Sequence, residues 1–351
     1  MRYFKLFKHC VYWMAILSSV CYASASEHAQ TERRAVFELG SGSMRLLVVD
    51  YDVSQHRIVN TVHTEKVYVK LAKYLADPNN NNTFSEQLMN LAVEKIQYLK
   101  HKAIEYDAVR FAGIATSSFR QASNGQHFVD KINQATHINL RMISQAEEGL
   151  CAFHSVSGRS DQNRDMTGVL DIGGGSLQLT VSNSPDKFIF ITRELGAEFA
   201  KNSLLDIQGR GRQDSPYPVS QTDFLALKAH ILAELNTVIL TDEERAALKH
   251  LGAGLTVVGT CRNLVPTVLG GQSQIDMAMV AKKVRAHFNQ STESFNGRYA
   301  GKLQERADTQ FILSNAALLL ALAEYLGVDR FSVSTVGDNT PGIVLQGRYW
   351  D

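Results

Sequence analysis

Residues 168–181 read GVLDIGGGSLQLTV, a pattern that predicts a buried strand, a tight glycine turn and a second strand. Branched apolar residues on both sides of the glycines favour strands, and the glycines permit a sharp turn. Residues 38–49 read ELGSGSMRLLVV, and the two stretches align acid to acid and glycine turn to glycine turn. Two copies of one strand–turn–strand unit indicate an internal duplication.

Around these two units the chain alternates between strand-like and helical patterns. Further predicted strands lie at 57–70, 109–115, 255–258 and 331–334, and predicted helices at 83–102, 145–156, 222–236, 242–250 and 309–326. Thr83 and Glu86 have the spacing of a capping box at the start of the first helix. Strands and helices in mixed order indicate an α/β architecture with two similar lobes. We predict lobe I over residues 32–145 plus 335–351, and lobe II over 146–334.

The N-terminal segment, residues 1–25, has the pattern of a secretory signal peptide. Three basic residues form a positive head, an apolar run follows at 11–20, and an A-x-A site ends at Ala25. The run is shorter than the roughly 20 residues that span a bilayer, although an uncleaved anchor or an ordinary first helix stays an alternative. The residues before Cys21 do not favour lipoprotein processing. We expect a periplasmic or secreted protein with no stable membrane insertion after cleavage.

Charge and cysteine content narrow the classes of function. Removing the signal segment takes away three basic residues and no acidic ones, so the formal charge changes from +1 to −2. A near-neutral chain of this kind predicts no nucleic-acid partner. Cys151 and Cys261 remain, and the sequence leaves their pairing open, while the Cys/His spacings of zinc sites do not occur in it. The oligomeric state is also open, with a homodimer as one option.

The two glycine turns carry the main chemical signal. Their backbone N–H groups can approach a phosphate chain closely because glycine has no Cβ, and serine hydroxyls add donors. The candidate phosphate-binding residues of the turns are Gly40, Ser41, Gly42, Ser43, Gly173, Gly174, Gly175 and Ser176. Glu38 and Asp171 end the preceding strands and could hold Mg²⁺, which would offset phosphate charge. Each turn alone also fits a plain hairpin loop, but the repeated acid and turn favour the phosphate site.

Two further segments contain candidate chemistry. Arg120 follows a predicted strand, where its guanidinium could bind phosphate bidentately, although a surface arginine on a helix gives the same pattern. Glu147 and Glu148 open the predicted helix at 145–156. This pair could supply a general base that activates water, and adjacent acids at a helix start are also typical partners of the helix dipole.

Together these segments resemble the successive motifs of the exopolyphosphatase/guanosine pentaphosphate phosphatase family. The matching segments are ELGSGSMRLLV (38–48), ATSSFRQASN (115–124), ISQAEEGLCAF (143–153), GVLDIGGGSLQLTV (168–181), RELGAEF (193–199), VVGTCRNLV (257–265) and residues 306–337. The ordered series, rather than any one motif, carries the resemblance, and it covers nearly the whole mature chain. The chain is similar to the short, two-domain members of the family.

The resemblance implies an actin/Hsp70-like fold (ASKHA, ribonuclease H-like) with duplicated domains and an active site in the interdomain cleft. It also implies Mg²⁺-dependent release of terminal phosphate from a polyphosphate or nucleotide substrate. By position, Glu148 matches the family's catalytic glutamate, Arg120 its phosphate-binding arginine and Asp171 the acid of its second phosphate loop. The turns at 40–43 and 173–176 match the two phosphate loops.

The chain departs from the family's pattern at four places. Glu38 replaces the usual Asp of the first loop, Gly42 its usual Asn, and Gln178 a second acid after Asp171. The arginine that usually follows the last strand's glycine is missing from residues 337–342. Ecto-apyrases share the fold and resemble this chain at Gln178. A glutamine can orient the attacking water, but it cannot act as a base or an anionic metal ligand.

Three functions are compatible with these observations. The first is exported hydrolysis of phosphoanhydride bonds in inorganic polyphosphate or polyphosphorylated nucleotides, with Glu148 and Gln178 as the catalytic pair. The second is a secreted, apyrase-like nucleoside di- or triphosphatase. The third is a degenerate, non-catalytic protein that binds phosphate polymers. An exported protein would rarely meet cytoplasmic guanosine signals, which favours polyphosphate or extracellular nucleotides as the substrate.

Overall fold

The computed structural model describes residues 31–158, 168–184, 187–249, 251, 254–259, 272–299, 306–334 and 337–350. The predicted signal segment and Cys261 lie outside these residues, so the cleavage site stays a prediction and the pairing of Cys151 stays open. Cys151 itself is buried.

Lobe I is built on a five-stranded sheet. Its strands are β1 (Thr31–Leu39), β2 (Ser43–Asp52), β3 (Arg57–Tyr68), β4 (Arg110–Ala115) and β5 (Asn139–Met142). They lie in the order β3-β2-β1-β4-β5, with antiparallel pairing from β3 to β1 and parallel pairing from β1 to β5. The last six residues of β1 are all buried, as expected for a central strand covered on both faces.

Lobe II repeats this arrangement and adds one strand. Its strands are β6 (Gly168–Ile172), β7 (Leu177–Ser184), β8 (Lys187–Arg193), β9 (Leu255–Gly259), β10 (Gln274–Asp276) and β11 (Arg330–Val333). The order β8-β7-β6-β9-β11 has the same strand directions as β3-β2-β1-β4-β5, and β10 pairs antiparallel at the far edge. The duplication predicted from the two glycine turns is confirmed.

Helices cover both sheets. They are α1 (Leu71–Leu75), α2 (Glu86–Glu105), α3 (Ser117–Gln121), α4 (Gly125–Thr136), α5 (Gln145–Ser157), α6 (Ala197–Ile207), α7 (Gln221–Asn236), α8 (Asp242–Lys249), α9 (Met277–Arg285), α10 (Thr292–Tyr299), α11 (Ile312–Leu326) and α12 (Thr340–Leu345), with 3₁₀ turns at Pro78–Asn80, Arg306–Phe311 and Gly347–Tyr349. The predicted capping box at Thr83 is wrong. Ser85 caps α2 by accepting from the N–H of Leu88 at 3.3 Å, because the Thr83 hydroxyl instead pairs with that of Ser123 at 2.7 Å.

The core of lobe II surrounds α11. Twelve of the fifteen residues of this helix are buried, and all but Ser314 and Asn315 of these are apolar, so burial is not confined to one stripe. Within the part of the chain that the structure describes, one segment, Thr309–Leu326, is long and apolar enough to cross a membrane. Because 78% of that segment is buried inside the protein, it has the environment of a core helix.

Helix α5 connects the two lobes. Cys151 packs in one apolar cluster with the lobe I sheet and with Ile343 and Trp350 of the C-terminal segment. One residue further on, Ala152 packs with Val169 of lobe II in another cluster. Helix α5 therefore forms part of both cores, and its position depends on how closely α12 can approach it.

A glycine sets that approach, and this leads to a first prediction. A methyl group at Gly342 would overlap the carbonyl oxygen of Cys151, so Gly342→Ala must move α12 away from α5. We expect the free energy of unfolding to fall by about 1–3 kcal/mol, as for other overpacked sites. Urea denaturation measures the change. Gly297→Ala is the matched control, since no atom lies within 4 Å of a Cβ there, and in helix α10 it should stabilise by about 0.5–1 kcal/mol. Equal effects of the two variants would contradict the packing constraint.

Candidate active site

The two glycine turns have the same backbone geometry. In the first turn the N–H of Gly40 donates to the carbonyl of Ser43 at 3.0 Å, and in the second the N–H of Gly173 donates to the carbonyl of Ser176 at 2.9 Å. The two middle residues of each turn take no part in this hydrogen bond. Turn N–H groups that donate to no other group in the described ranges are those of Ser41, Gly42, Gly174 and Gly175. Both turns therefore offer free backbone donors.

The turns face each other across the boundary between the lobes. A Cβ on Gly174 would lie 3.1 Å from the Cβ of Ser41, and a Cβ on Gly175 would overlap the hydroxyl of Ser117. Side chains at these two positions would crowd the opposite lobe, so glycine favours this close contact.

Helix α6 holds the second turn in place. The N–H groups of Ala197 and Glu198 donate to the carbonyls of Gly173 and Gly174 at 3.0 and 2.8 Å. These belong to the first turn of the helix, whose N–H groups have no partner inside it. The positive end of the α6 dipole therefore lies beside the second turn, where an anion would be stabilised.

Glu38 and Asp171 occupy equivalent places in the two lobes and meet at one side chain. Each is the second-last residue of its strand, β1 or β6. The Nδ2 of Asn339 donates to Glu38 at 3.3 Å and to Asp171 at 3.2 Å. Burial raises the pKa of Glu38 to about 7 and that of Asp171 to about 6. The duplicated fold thus brings two buried carboxyl groups to one point of the cleft.

Arg45 places positive charge next to Glu38. It lies opposite Glu38 in the β1–β2 hairpin, and its Nη1 is 3.3 Å from the carboxylate. The same nitrogen donates to the carbonyl of Gly337 at 3.5 Å and lies 3.7 Å from the carboxylate of Asp338. This charge opposes the effect of burial, and so lowers the pKa of Glu38 from the value that burial alone would give.

Glu148 is buried near the start of α5, with 4% of its surface exposed. Its carboxylate lies 2.8 Å from Nη1 of Arg120. Burial raises the pKa of Glu148 to about 8, and the charge of Arg120 acts in the opposite direction. Arg120 also donates to the carbonyl of Ile143 at 3.0 Å and to the hydroxyl of Ser176 at 3.3 Å. This arginine therefore links lobe I, the candidate base and the second turn.

Of the two adjacent acids, only Glu148 reaches the cleft. Glu147 forms a capping box with Ser144, in which each side chain accepts from the other residue's N–H, at 2.9 and 3.2 Å. Glu147 therefore has the structural role that is typical of an acid at a helix start. Beyond Glu148, a Cβ on Gly149 would lie 3.1 Å from the Cβ of Gln178, so this glycine lets α5 pack directly on β7.

Gln178 is fully buried beside the second turn. Its Nε2 donates to the hydroxyl of Ser176 at 2.9 Å and to Oε1 of Gln145 at 3.4 Å. The Oε1 of Gln178 finds no hydrogen-bond partner among the described residues. The same is true of other buried polar atoms near the cleft, among them Ser117 Oγ, Ser118 Oγ, Arg120 Nε, Thr180 Oγ1 and Asn339 Oδ1. Each such atom costs about 1–3 kcal/mol, so their concentration at one place is typical of a site for a polar ligand.

The cleft offers oxygen donors of the kind that Mg²⁺ prefers. No group of three or more His, Cys, Asp and Glu side chains in the described ranges is arranged as a complete metal site. The carboxylates of Glu38 and Asp171 nevertheless converge, and Asn339 Oδ1 beside them has no partner in the described part of the chain. Mg²⁺ is typically held by one or two carboxylates together with water and substrate phosphates. The donor set fits that mode of binding.

Sequence reasoning missed three residues of this cleft, which are Arg45, Ser117 and Asn339. Arg45 follows Glu38 by the same spacing at which Gln178 follows Asp171, and the hairpin register places each pair directly opposite. That spacing was a signal in the sequence. Asn339 reaches the cleft only through the packing of α12. Of the site residues predicted from the sequence, Gly42 is the one that is exposed to solvent. No atom lies within 4 Å of a Cβ built at this position.

Comparison with known proteins assigns the chain to a family. The model of the Ppx/GppA phosphatase family matches residues 48–337. Because this match spans most of the chain, the protein belongs to the Ppx/GppA phosphatase family, as its motifs predict.

A crystal structure supports the fold. An exopolyphosphatase from Cytophaga hutchinsonii aligns with a TM-score of 0.69 at 18% identity, covering 89% of this chain and 96% of that one. Together with the matching sheets, this likeness confirms the two-lobed actin/Hsp70-like fold (ASKHA, ribonuclease H-like).

Two curated relatives share part of their length with this chain. A bifunctional 3-dehydroquinate synthase/phosphatase from Fusobacterium nucleatum is 23% identical over 328 residues, which is 90% of this chain and 46% of that protein. A guanosine-5'-triphosphate,3'-diphosphate pyrophosphatase from Aliivibrio fischeri is 28% identical over 147 residues, which is 42% of this chain and 28% of that protein. The chain spans less than half the length of either relative.

The buried carboxyl of Glu148 predicts a specific dependence of stability on pH. Its pKa is raised from 4.5 to about 8 in the folded protein. Its contribution to stability is therefore fully present below the unfolded pKa and is lost as the pH rises through the folded pKa. We expect Glu148→Gln to gain stability relative to wild type between about pH 5 and about pH 9.

Urea denaturation in the presence of a chelator measures this difference. Glu147→Gln is the matched control, because a glutamine preserves the capping box and Glu147 is not buried. The control should follow the wild-type pH dependence. If Glu148→Gln also showed the wild-type pH dependence, the pKa of Glu148 would not be raised in the folded chain, which would contradict the prediction.

Proposed function

We propose that this protein hydrolyses terminal phosphoanhydride bonds and releases phosphate from inorganic polyphosphate or from a polyphosphorylated nucleotide, with the help of Mg²⁺. The observation that carries the proposal is the convergence of two matched glycine turns, Arg120 and the buried Glu148 on one interlobe cleft. Family membership supports this class of reaction, since one relative is named as a pyrophosphatase of guanosine-5'-triphosphate,3'-diphosphate.

Binding of the substrate depends on donors from both lobes. The free N–H groups of the two turns suit phosphate oxygens, and the N-terminal end of α6 adds favourable potential at the second turn. Arg120 would bind an equatorial phosphate oxygen with the guanidinium edge that contacts Ser176. Since the turns are in contact in this structure, the lobes must separate for a phosphate chain to enter between them.

Water is the nucleophile, and Glu148 is the base that takes its proton. A carboxyl whose pKa lies near the working pH is suited to this role, and burial provides that shift. Arg120 holds the carboxylate in position, and the free Oε1 of Gln178 can accept from the same water. As charge develops on the phosphoryl oxygens, the turn N–H groups and Arg120 stabilise it.

Glu38 and Asp171 would hold Mg²⁺ through their carboxylate oxygens. When bound, the ion would neutralise phosphate charge and polarise the phosphoryl group. Arg45 already lies 3.3 Å from Glu38 and partly neutralises it. We therefore expect Asp171 to contribute more to metal affinity than Glu38.

The role of Glu148 gives a prediction for the rate. We expect Glu148→Gln to lower kcat by about 10²–10⁴, because a general base typically contributes that factor. The KM should change little, since Arg120 and the turns remain. Phosphate release under steady-state conditions measures both constants, with Glu147→Gln as the control that keeps wild-type activity. Near-normal turnover by Glu148→Gln would place the base elsewhere.

The metal proposal predicts a graded response to Mg²⁺. Chelation should abolish phosphate release and added Mg²⁺ should restore it. Asp171→Asn should need a higher Mg²⁺ concentration for half-maximal activity than Glu38→Gln, because Arg45 already compensates Glu38. Direct Mg²⁺ binding, followed by calorimetry without substrate, separates metal affinity from catalysis. Full activity with chelator present would contradict a metal requirement.

A panel of substrates distinguishes the candidate functions. Long-chain polyphosphate, tripolyphosphate, guanosine pentaphosphate, ATP and ADP are compared by phosphate release, with Glu148→Gln as the blank. Preference for polyphosphate supports the first function. Preference for ATP and ADP supports the apyrase-like alternative, which the buried, neutral Gln178 favours. If the purified protein released phosphate from none of them, the hydrolase proposal would fail, and the non-catalytic alternative would remain.

We also propose that the protein is exported. The basic head, apolar run and A-x-A site of residues 1–25 support this. The mature chain should then begin at Ser26, which mass spectrometry of protein from the periplasm or medium can determine. An intact N-terminus, or a lipid on Cys21, would contradict it.

A further inference from the structure

A chain of hydrogen bonds leads from the exposed rim of the cleft to the buried Gln178. Glu194 follows β8 in lobe II and is exposed, Gln145 begins α5 and is half-buried, and Gln178 on β7 is fully buried. The Nε2 of Gln145 donates to Oε1 of Glu194 at 2.7 Å, and the Nε2 of Gln178 donates to Oε1 of Gln145 at 3.4 Å. A carboxylate at the surface is thus linked, through one side chain, to an amide inside the candidate active site.

The orientation of the Gln178 amide matters because its two ends have opposite hydrogen-bonding roles. The oxygen of an amide accepts hydrogen bonds and the nitrogen donates them, although the two ends have almost the same shape. With the oxygen turned toward the attacking water, the amide accepts a hydrogen bond and leaves a lone pair of the water free for attack. With the nitrogen there instead, the amide would donate to that lone pair and make the water a weaker nucleophile.

The nearest partner of Gln178 does not fix this orientation. The Nε2 of Gln178 donates to the hydroxyl of Ser176 at 2.9 Å, and the Nη2 of Arg120 donates to the same oxygen at 3.3 Å. A serine hydroxyl can donate as well as accept. It would therefore also bond to the oxygen of Gln178 if the amide turned over, so a further group must decide between the two orientations.

Glu194 is the group that decides. A carboxylate can only accept hydrogen bonds, so the nitrogen of Gln145 faces Glu194 and the oxygen of Gln145 faces Gln178. The nitrogen of Gln178 then faces Gln145, and the oxygen of Gln178 is left without a partner among the described residues. The bond to Glu194 is short, as expected for a charged acceptor.

Glu194 is itself held from the opposite lobe. The Nε2 of Gln121, at the end of α3 in lobe I, donates to the second carboxylate oxygen, Oε2, at 2.7 Å. Both oxygens of this carboxylate are therefore used. Because the bond to Gln121 crosses the boundary between the lobes, the chain of hydrogen bonds is complete when the lobes are in contact, as they are in this structure.

We propose that Glu194 and Gln145 are positioning residues, which hold the amide oxygen of Gln178 in place to accept a hydrogen bond from the attacking water. The proposal rests on the hydrolase function proposed above. It adds to that function two residues that do not touch the substrate and that act through Gln178. Their loss should therefore lower kcat and leave the KM nearly unchanged.

Exchanging the two side chains tests the proposal. Glu194→Gln alone leaves one oxygen, which can accept from Gln121 or from Gln145 but not from both. Gln145→Glu alone brings two carboxylates into contact. In Gln145→Glu/Glu194→Gln the amide can accept from Gln121 and donate to the carboxylate, and that carboxylate in turn accepts from Gln178. We expect kcat to fall about three- to tenfold in each single variant, as for the loss of one hydrogen bond, and to recover in the double variant.

Two controls separate this role from a structural one. Glu243→Gln removes an equal charge from an exposed position of α8 and should keep the wild-type kcat. In the Gln178→Met background, which lacks the amide, Glu194→Gln should cause no further loss, because the effects of residues that act through one another are not additive. Thermal unfolding first shows that every variant is folded. An additive loss in that background, or a loss that the exchange does not restore, would overturn the proposal.

A measurement without turnover separates the orientation of Gln178 from the hydrolase proposal. In protein with ¹⁵N-labelled glutamine side chains, NMR detects the two amide protons of Gln178, whose signals are identified by their loss in Gln178→Met. Both protons are hydrogen-bonded in the wild type, so they should exchange slowly with water. We expect faster exchange in Glu194→Gln and slow exchange again in the double variant.

The two kinds of failure have different signatures. Unchanged Gln178 signals in Glu194→Gln would overturn the positioning proposal, even if the wild type hydrolyses every substrate. If the wild type releases no phosphate from any substrate, the hydrolase proposal fails, while the NMR measurement still decides whether Glu194 sets the orientation of Gln178.

Discussion

The contact between the two glycine turns is the constraint on which the rest of the site depends. Gly174 lies against Ser41, and Gly175 lies against Ser117, so close that a Cβ on either glycine would meet the opposite lobe. This approach brings strand ends from two separate sheets to a common point. Without it, Asn339 could not reach both Glu38 and Asp171, and Arg120 could not reach both the second turn and Glu148.

The position of Glu148 follows from a second close packing, around α5. This helix forms part of the cores of both lobes, with α12 crossing it at Gly342 and β7 packing on it at Gly149. Glycines at both crossings let the backbones approach more closely than side chains would allow. The candidate base is therefore carried by a rigid element that contacts both lobes, which is the arrangement that precise catalytic geometry requires.

The buried charges of the cleft are only partly compensated by the protein, so the cleft is suited to a charged ligand. Glu38, Asp171 and Glu148 are all buried, and burial raises the pKa of each one. Arg45 and Arg120 compensate only part of this cost. A divalent cation would supply the remaining positive charge. A polyanionic substrate would accept hydrogen bonds from the free N–H groups of the turns.

The sequence by itself determined the features that depend on neighbours along the chain. The strand–turn–strand units, their duplication, the helical patterns and the candidates Arg120 and Glu148 could all be predicted, because strand alternation, glycine turns and motif order are local signals. The start of α2 could not, because Ser85 and Thr83 are both acceptable caps, and a contact with Ser123 on a distant segment decides between them.

Only the tertiary structure decided which acid of the 147–148 pair faces the cleft, and that Asn339 lies between two carboxylates. The reason is physical. These contacts join groups from different elements, some of them in different lobes. Their distances are set by how closely helices and sheets can pack, and that is a property of the whole fold rather than of any segment.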